Sequence, residues 1–405
     1  MTWPMRSSTA IMCSSNLTTG NNMSESSQNN MPEKSSATVA PQPDKNTFSV
    51  WKVLLPVAIG LGVVVLMFLH DARKEDLSAV MRSINFTAHT ILFLLLGWLF
   101  MIGRDVGLSW RFRALTDHKL RWTQAFKVDF LCEFTSCITP SAVGGSSLGM
   151  IFLNREGVEL GRATTLMITT LFLDELFFVI SCPLVILFTP VNEIFNSGSG
   201  AFSSGIKLTF WLVYSGICLW TLLLFLGIIV KPAAIRNVII KLFSIRFLRR
   251  WQPAVIALGD NMVATSVELR KKRFCFWLEV FGGTALSWTS RYMVVNAIFM
   301  AFLPATVNFA DQWLILARQF VVWVVLMVSP TPGGSGLSEW LFTEYYSDLI
   351  PSAGLALIMA ICWRLISYYV YLAIGAAIVP GWLKDTFNSL HRNKVKKNPQ
   401  SLSDK

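Results

Sequence analysis

The sequence predicts an all-α polytopic membrane protein with six full spans and two opposed re-entrant helical hairpins arranged as an inverted repeat. Three observations carry this prediction. First, 53% of the 405 residues are hydrophobic and only 15% are charged, with a mean hydropathy of +0.51. Soluble domains carry roughly 25% charged residues, and a chain this apolar lacks the polar surface to cover a soluble core. Second, six apolar runs are each long enough to cross about 30 Å of hydrocarbon. Third, two further apolar regions are broken midway by Pro and Gly, and they stand at corresponding places in the chain. Soluble, disordered and fibrous classes are excluded.

Residues 1–48 are rich in Ser, Asn, Thr and Met without apolar periodicity, and read as a disordered N-terminal segment. Met23 and Met31 are alternative start sites, which would leave part of that segment untranslated. The membrane domain occupies 49–385. Its first span, Val53 to Leu69, is followed by His70-Asp71-Ala72-Arg73, which is no cleavage site, so it reads as uncleaved. The remaining spans are 86–103, 162–189, 207–230, 274–302 and 355–381. The broken regions are 122–154, interrupted at Thr139-Pro140-Ser141-Ala142-Val143-Gly144-Gly145-Ser146, and 311–346, interrupted at Ser329-Pro330-Thr331-Pro332-Gly333-Gly334-Ser335-Gly336. Each is too long for one straight helix and short for two crossings. Two half-helices meeting at a tip are expected, because irregular backbone at membrane depth survives only where protein or a wet cavity covers it.

Orientation follows from Lys and Arg. Segments 104–121, 231–273 and 382–405 are strongly basic, whereas 190–206, 303–310 and 347–354 contain neither residue, and a hairpin returns to the side it left, so the parity of six spans holds. Both termini are therefore expected in the cytoplasm, with 386–405 as a basic tail. The net charge of +11 is this flanking pattern rather than a nucleic-acid surface. Only the first outer loop, with Arg73, Lys74 and Arg82, runs against it. Within the linker 231–273, apolar Ile235, Val238, Ile239, Leu242 and Phe243 alternate at helical spacing with Arg236, Lys241, Arg246, Arg249 and Arg250. That pattern suits an interfacial helix on anionic lipid, or a docking surface for a cytoplasmic partner.

A span, a hairpin and a span make repeat one at 86–189 and repeat two at 274–381, with the hairpins entering from opposite sides. Interrupted helices at matching places in inverted repeats point to a substrate site at the midplane. The returning arms begin at Gly145 and Gly334, which aims helix N-termini at that site, as an anion requires. The expected substrate contacts are Thr139, Pro140, Gly144, Gly145 and Ser146 at one tip and Thr331, Pro332, Gly333, Gly334, Gly336 and Glu339 at the other. Arg291, Arg318 and Arg364 would meet a phosphodiester. Asp129, Glu133, Asp174 and Glu175 would meet an amine or take part in ion coupling. For each of these the competing reading is a structural ion pair between spans. On that competing reading Arg318 and Glu339, on the two arms of one hairpin, would pair with each other, and Lys127 and Asp129, near the cytoplasmic end, would snorkel to water; Arg364, Tyr368 and Tyr371 share a helical stripe.

No catalytic residue, metal or cofactor is expected. The four histidines are scattered, the seven cysteines include no CxxC pair, and no Gly-x-x-x-x-Gly-Lys run is present. Gly145-Ser146-Ser147-Leu148-Gly149 fits a nucleophile elbow, but that motif needs a strand before its turn.

Trp110-Arg111-Phe112-Arg113, Thr139-Pro140 through Gly145, and Pro332-Gly333-Gly334-Ser335-Gly336-Leu337-Ser338-Glu339 resemble the transmembrane domain of bacterial lysylphosphatidylglycerol synthases. The last run follows that family's Pro-Gly-Gly-x-Gly-x-x-Glu pattern, and the resemblance covers roughly residues 50–385. The same domain occurs in flippase-like membrane proteins, some linked to lipid-linked sugars. The resemblance implies a lipid translocase of the bacterial inner membrane that binds an anionic or aminoacylated phospholipid headgroup. The bifunctional synthases add a soluble aminoacyl-transferase domain, whereas about 24 polar residues follow the last span here, so lysyl transfer is not expected. A membrane-embedded transferase acting on aminoacyl-lipid or lipid-linked sugar is the alternative. A scaffold for a separate lipid-modifying enzyme is a third reading.

Overall fold

The computed structural model describes residues 87–139, 143–195, 200–242, 252–304, 308–329, 331 and 333–382. Segment 1–48, the first expected span 53–69 and the tail 386–405 lie outside the described residues. Among the described residues every regular element is helical: α1 (Ala88–Leu115), α2 (Trp122–Ile138), α3 (Val143–Arg155), α4 (Leu160–Phe188), α5 (Val191–Phe195), α6 (Gly200–Phe225), α7 (Pro232–Leu242), α8 (Gln252–Arg270), α9 (Phe274–Phe302), α10 (Phe309–Leu326), α11 (Leu337–Tyr345) and α12 (Ala353–Arg364). Wider π turns extend α6 through Leu226–Val230 and α12 through Leu365–Tyr369, after which the last helix continues to Trp382.

Five of these helices are long and apolar enough to cross a membrane: α1, α4, α6, α10 and the whole of Ala353–Trp382. The set differs from the expected spans in two ways. The long helix α9 drops out because Ser287, Ser290, Arg291 and Asn296 dilute its apolar face. The first arm of the second hairpin, α10, qualifies with 18 residues. The polarity is inverted relative to a soluble protein. Leu92, Leu95, Leu99, Leu208, Leu212 and Leu219 are exposed, while Arg104, Asp129, Arg318 and Glu339 are 1–2% exposed. Apolar surface facing outward around buried charge is stable in lipid and costly in water.

The most extensive packing joins α1 to α9. Small residues let the two backbones touch: a Cβ on Gly107 would lie 2.7 Å from the Gly283 carbonyl oxygen and 2.8 Å from the Ser287 nitrogen. Gly97 faces Val294 and Ala297, Gly103 faces Ser290, and Gly107 faces Gly283, so the helices run antiparallel. Close approach through small residues is how helices associate where no hydrophobic effect drives them together. Helix lengths also correspond along the chain. The order 28, 17, 13 and 29 residues (α1 to α4) is followed by 29, 18, 9 and 30 residues (α9, α10, α11 and Ala353–Trp382).

The second expected span, 86–103, runs on to Leu115. Arg104 and Arg111, counted as cytoplasmic loop in the sequence, therefore sit inside a helix and are 2% and 4% exposed. The turn that follows is tied down by charge. Asp117, in a left-handed conformation at φ 54°, accepts from Lys272 at 2.5 Å and from Arg162 at 2.9 Å. Arg162 also donates to Glu268 at 2.9 Å, so the end of α8 and the start of α4 meet at one network.

Candidate functional site

A cavity of about 210 Å³ lies between α1, α2, α4, α9, α10 and the last helix, closed on one side by the tip at 329–334. Arg104, Asp174 and Arg364 stand near the middle of their long helices, so the cavity sits about halfway along the bundle. Two apolar clusters supply its walls, Phe178, Tyr292 and Trp363 from one, Phe112, Cys132 and Met167 from the other.

Four guanidinium groups and four carboxylates line this space: Arg104, Arg111, Arg291 and Arg364 against Asp129, Glu133, Asp174 and Glu175. Most are paired. Arg104 donates to Asp105 at 2.7 Å and pairs with Glu133, while its guanidinium lies 4.9 Å from the Tyr371 ring. Tyr371 in turn donates to Asp105 at 2.7 Å. Arg111 pairs with Asp174 and donates to Thr284 at 3.3 Å; Trp288 donates to the same Asp174 oxygen at 2.7 Å. Arg364 donates to Glu339 at 2.8 Å, to the Gly333 carbonyl at 3.1 Å and to the Ser335 hydroxyl at 3.1 Å, and stacks 3.8 Å over Tyr368.

Three groups are left over. Arg291 approaches Glu133 only at 3.9 Å and rests against the rings of Trp288 and Trp323, 5.7 and 5.0 Å away. One oxygen each of Asp129 and Glu175 is buried without a hydrogen-bond partner among the described residues. A buried polar group normally finds a partner, so orphaned ones mark a site or a reservoir of strain.

The second tip is built for close approach. Gly333, Gly334 and Gly336 have φ of 57°, 69° and 83°, a region that side chains rarely adopt. A Cβ on Gly333 would stand 2.2 Å from the Tyr368 ring, whereas one on Gly334 would find ordinary contact at 3.5 Å. Glu339 reaches back to cap this turn, accepting from the Gly336 amide at 2.7 Å and from Ser338 at 2.9 Å.

Of the sequence-predicted residues, Asp129, Glu133, Asp174, Glu175, Arg291, Thr331, Gly333, Gly334 and Arg364 line the cavity. Glu339 and Gly336 are not among its lining residues, but Glu339 accepts from the lining Arg364 and from the Gly336 amide. Thr139 ends α2, its hydroxyl donating to the Thr135 carbonyl at 2.8 Å. Gly144, Gly145 and Ser146 open α3, while Pro140 and Pro332 lie outside the described residues. Arg318 is elsewhere: it forks onto Asp348 at 2.6 and 2.7 Å and donates to the carbonyls of Tyr345 and Glu193. The competing reading in which Arg318 pairs with Glu339 does not hold either: the pairs are Arg318–Asp348 and Arg364–Glu339. Lys127, half exposed, pairs with Glu156 at 3.0 Å, while Asp129 is buried inside the bundle instead of reaching water. Arg104 and Arg111 were missed as lining residues, although Arg111 stood within the quoted Trp-Arg element.

Among known proteins, the chain is 20% identical over 329 residues to a UPF0104 membrane protein of Archaeoglobus fulgidus, spanning 80% of this chain and 95% of that one. No solved structure matches it. The family model described as lysylphosphatidylglycerol synthase TM region matches residues 53–375, reaching from the expected first span into the last helix, and the chain belongs to that family.

Proposed function

We propose that this protein is a lipid translocase whose central cavity holds a phospholipid headgroup carrying both phosphate and amine. The observation that carries the reading is the set of leftover groups. Among the described residues one guanidinium, Arg291, has no hydrogen-bonded partner, and two carboxylates, Asp129 and Glu175, each keep a bare buried oxygen. A phosphodiester satisfies the first through paired N–H donors. Ammonium groups satisfy the second. The surplus of carboxylate favours an aminoacylated headgroup over a purely anionic one.

The matching helix lengths and the antiparallel α1–α9 pair support two inverted repeats, each with its own re-entrant hairpin, in a six-span domain. On this reading both termini face the cytoplasm of a bacterial inner membrane. The cavity then lies at the midplane, where a headgroup passing between leaflets must be sheltered from hydrocarbon.

Thermal unfolding in detergent tests the site. Lysine-esterified phosphatidylglycerol should stabilise the purified protein, by about 2.7 kcal/mol at a hundredfold excess over Kd. Arg291→Ala should cost only the loss of its aromatic contacts, about 0.5–2 kcal/mol, yet abolish the lipid-dependent shift. A variant that keeps the full shift would place the phosphate elsewhere.

A further inference from the structure

We infer that Asp129 carries an exchangeable proton and that the headgroup ammonium competes with that proton, so that lipid crosses in exchange for a proton. This rests on the headgroup reading above and adds the coupling ion to it.

Asp129 is 1% exposed, lines the cavity, and its Oδ2 has no hydrogen-bond partner among the described residues. The charged groups around it come from three elements. Arg104, Asp105 and Arg111 face it from α1, Glu133 and the Cys132 thiol share its own helix, and Asp174 and Glu175 look into the same cavity from α4. Neither arginine pairs with Asp129, although the Arg111 Nε keeps no hydrogen-bond partner of its own among the described residues. Arg104 is committed to Asp105 and Glu133, and Arg111 to Asp174 and Thr284. No cation stands within 4.0 Å of Asp129 among the described residues, whose carboxylates also do not converge as ligands for a metal ion.

A carboxylate in these surroundings needs a partner, since a buried charge without one is costly. Two partners fit at Oδ2: a proton, or an ammonium from the headgroup. They exclude each other. When the ammonium arrives, the O–H bond on Oδ2 breaks, the proton leaves to water at the cavity mouth, and the carboxylate accepts the N–H donors instead. Departure of the lipid on the other side lets Oδ2 take up a proton again. No other reactant is needed.

Infrared difference spectra of the purified protein, recorded between alkaline and acid pH, should show a protonated-carboxyl band. That band should vanish in Asp129→Asn and be displaced in Asp129→Glu, which keeps the assignment secure if the first variant fails to fold. In weakly buffered detergent, adding lysine-esterified phosphatidylglycerol should release protons to a pH dye from the wild type and not from Asp129→Asn. Stabilisation by the lipid without proton release overturns the exchange and leaves the headgroup reading standing. Absence of any stabilisation overturns the headgroup reading, and the exchange with it, even where the Asp129 band is present.

Discussion

Arg318 and Arg364 are both buried arginines on repeat two, and their surroundings give them different work. Arg318 is anchored by Asp348 and two carbonyls away from the cavity, a contact that ties α10 to the loop after α11. Arg364 faces the cavity and holds the glycine tip through Glu339, Ser335 and the Gly333 carbonyl. Breaking a buried ion pair from one side costs about 3–5 kcal/mol, because the other charge is stranded. Glu339→Gln should therefore lower the unfolding midpoint far more than Arg291→Ala does, and the two melts in detergent give the comparison. The identity of these buried charges was legible in the sequence, since each is an ionisable residue within an apolar run. Their partners were not. Spacing places Arg318 and Glu339 on the arms of one hairpin, but only the left-handed backbone at Gly333, Gly334 and Gly336 turns Glu339 toward the last helix instead.

Helices were legible through length, and the breaks between α2 and α3 and between α10 and α11 through Pro and Gly. The end of α1 was not, because counting Arg104 and Arg111 as loop charge assumes that arginine marks water. Here each is neutralised inside the bundle, so the helix continues to Leu115. The crossing of α1 and α9 offers a test with an internal control. Gly107→Ala would push a methyl group into backbone atoms at 2.7 and 2.8 Å, which cannot yield as a side-chain tip does. Overpacking of this kind costs about 1–3 kcal/mol. Gly282→Ala meets nothing within 4 Å and should gain about 0.5–1 kcal/mol from helix propensity. Midpoints shifting the same way in both variants would contradict the contact. At the turn after α1, burial pushes the Asp117 carboxyl up, but the Lys272 hydrogen bond and the Lys272 and Arg162 charges outweigh it, leaving it below its ordinary value. Ionised Asp117 thus contributes stability above its unfolded value, about 3.9, and that contribution is lost as pH falls further. Acid titration of the melting midpoint should be shallower in Asp117→Asn.

For the molecule as a whole, orientation is the statement most open to direct measurement. In a cysteine-free background, Gly205→Cys should react with an impermeant maleimide from outside the cell, and Ala264→Cys only after permeabilisation; both positions are exposed. Labelling of Ala264→Cys in intact cells would reverse the topology.

Aligning Leu115 with Phe302, and Trp122 with Phe309, sets Gly103 opposite its own counterpart, Ser290, which is also the residue it touches. A contact between equivalent positions is self-complementary, the kind two copies of one half-length chain would make about a two-fold axis. Such a homodimer must carry the same residue on both sides of its axis. Joining the halves in one polypeptide lifts that restriction: glycine occupies one side, and on the other the serine hydroxyl oxygen would stand 3.1 Å from any Cβ placed at Gly103. On the inverted-repeat reading proposed above, the axis position is thus where the two halves differ, since a side chain on both sides would need the Ser290 hydroxyl to give way.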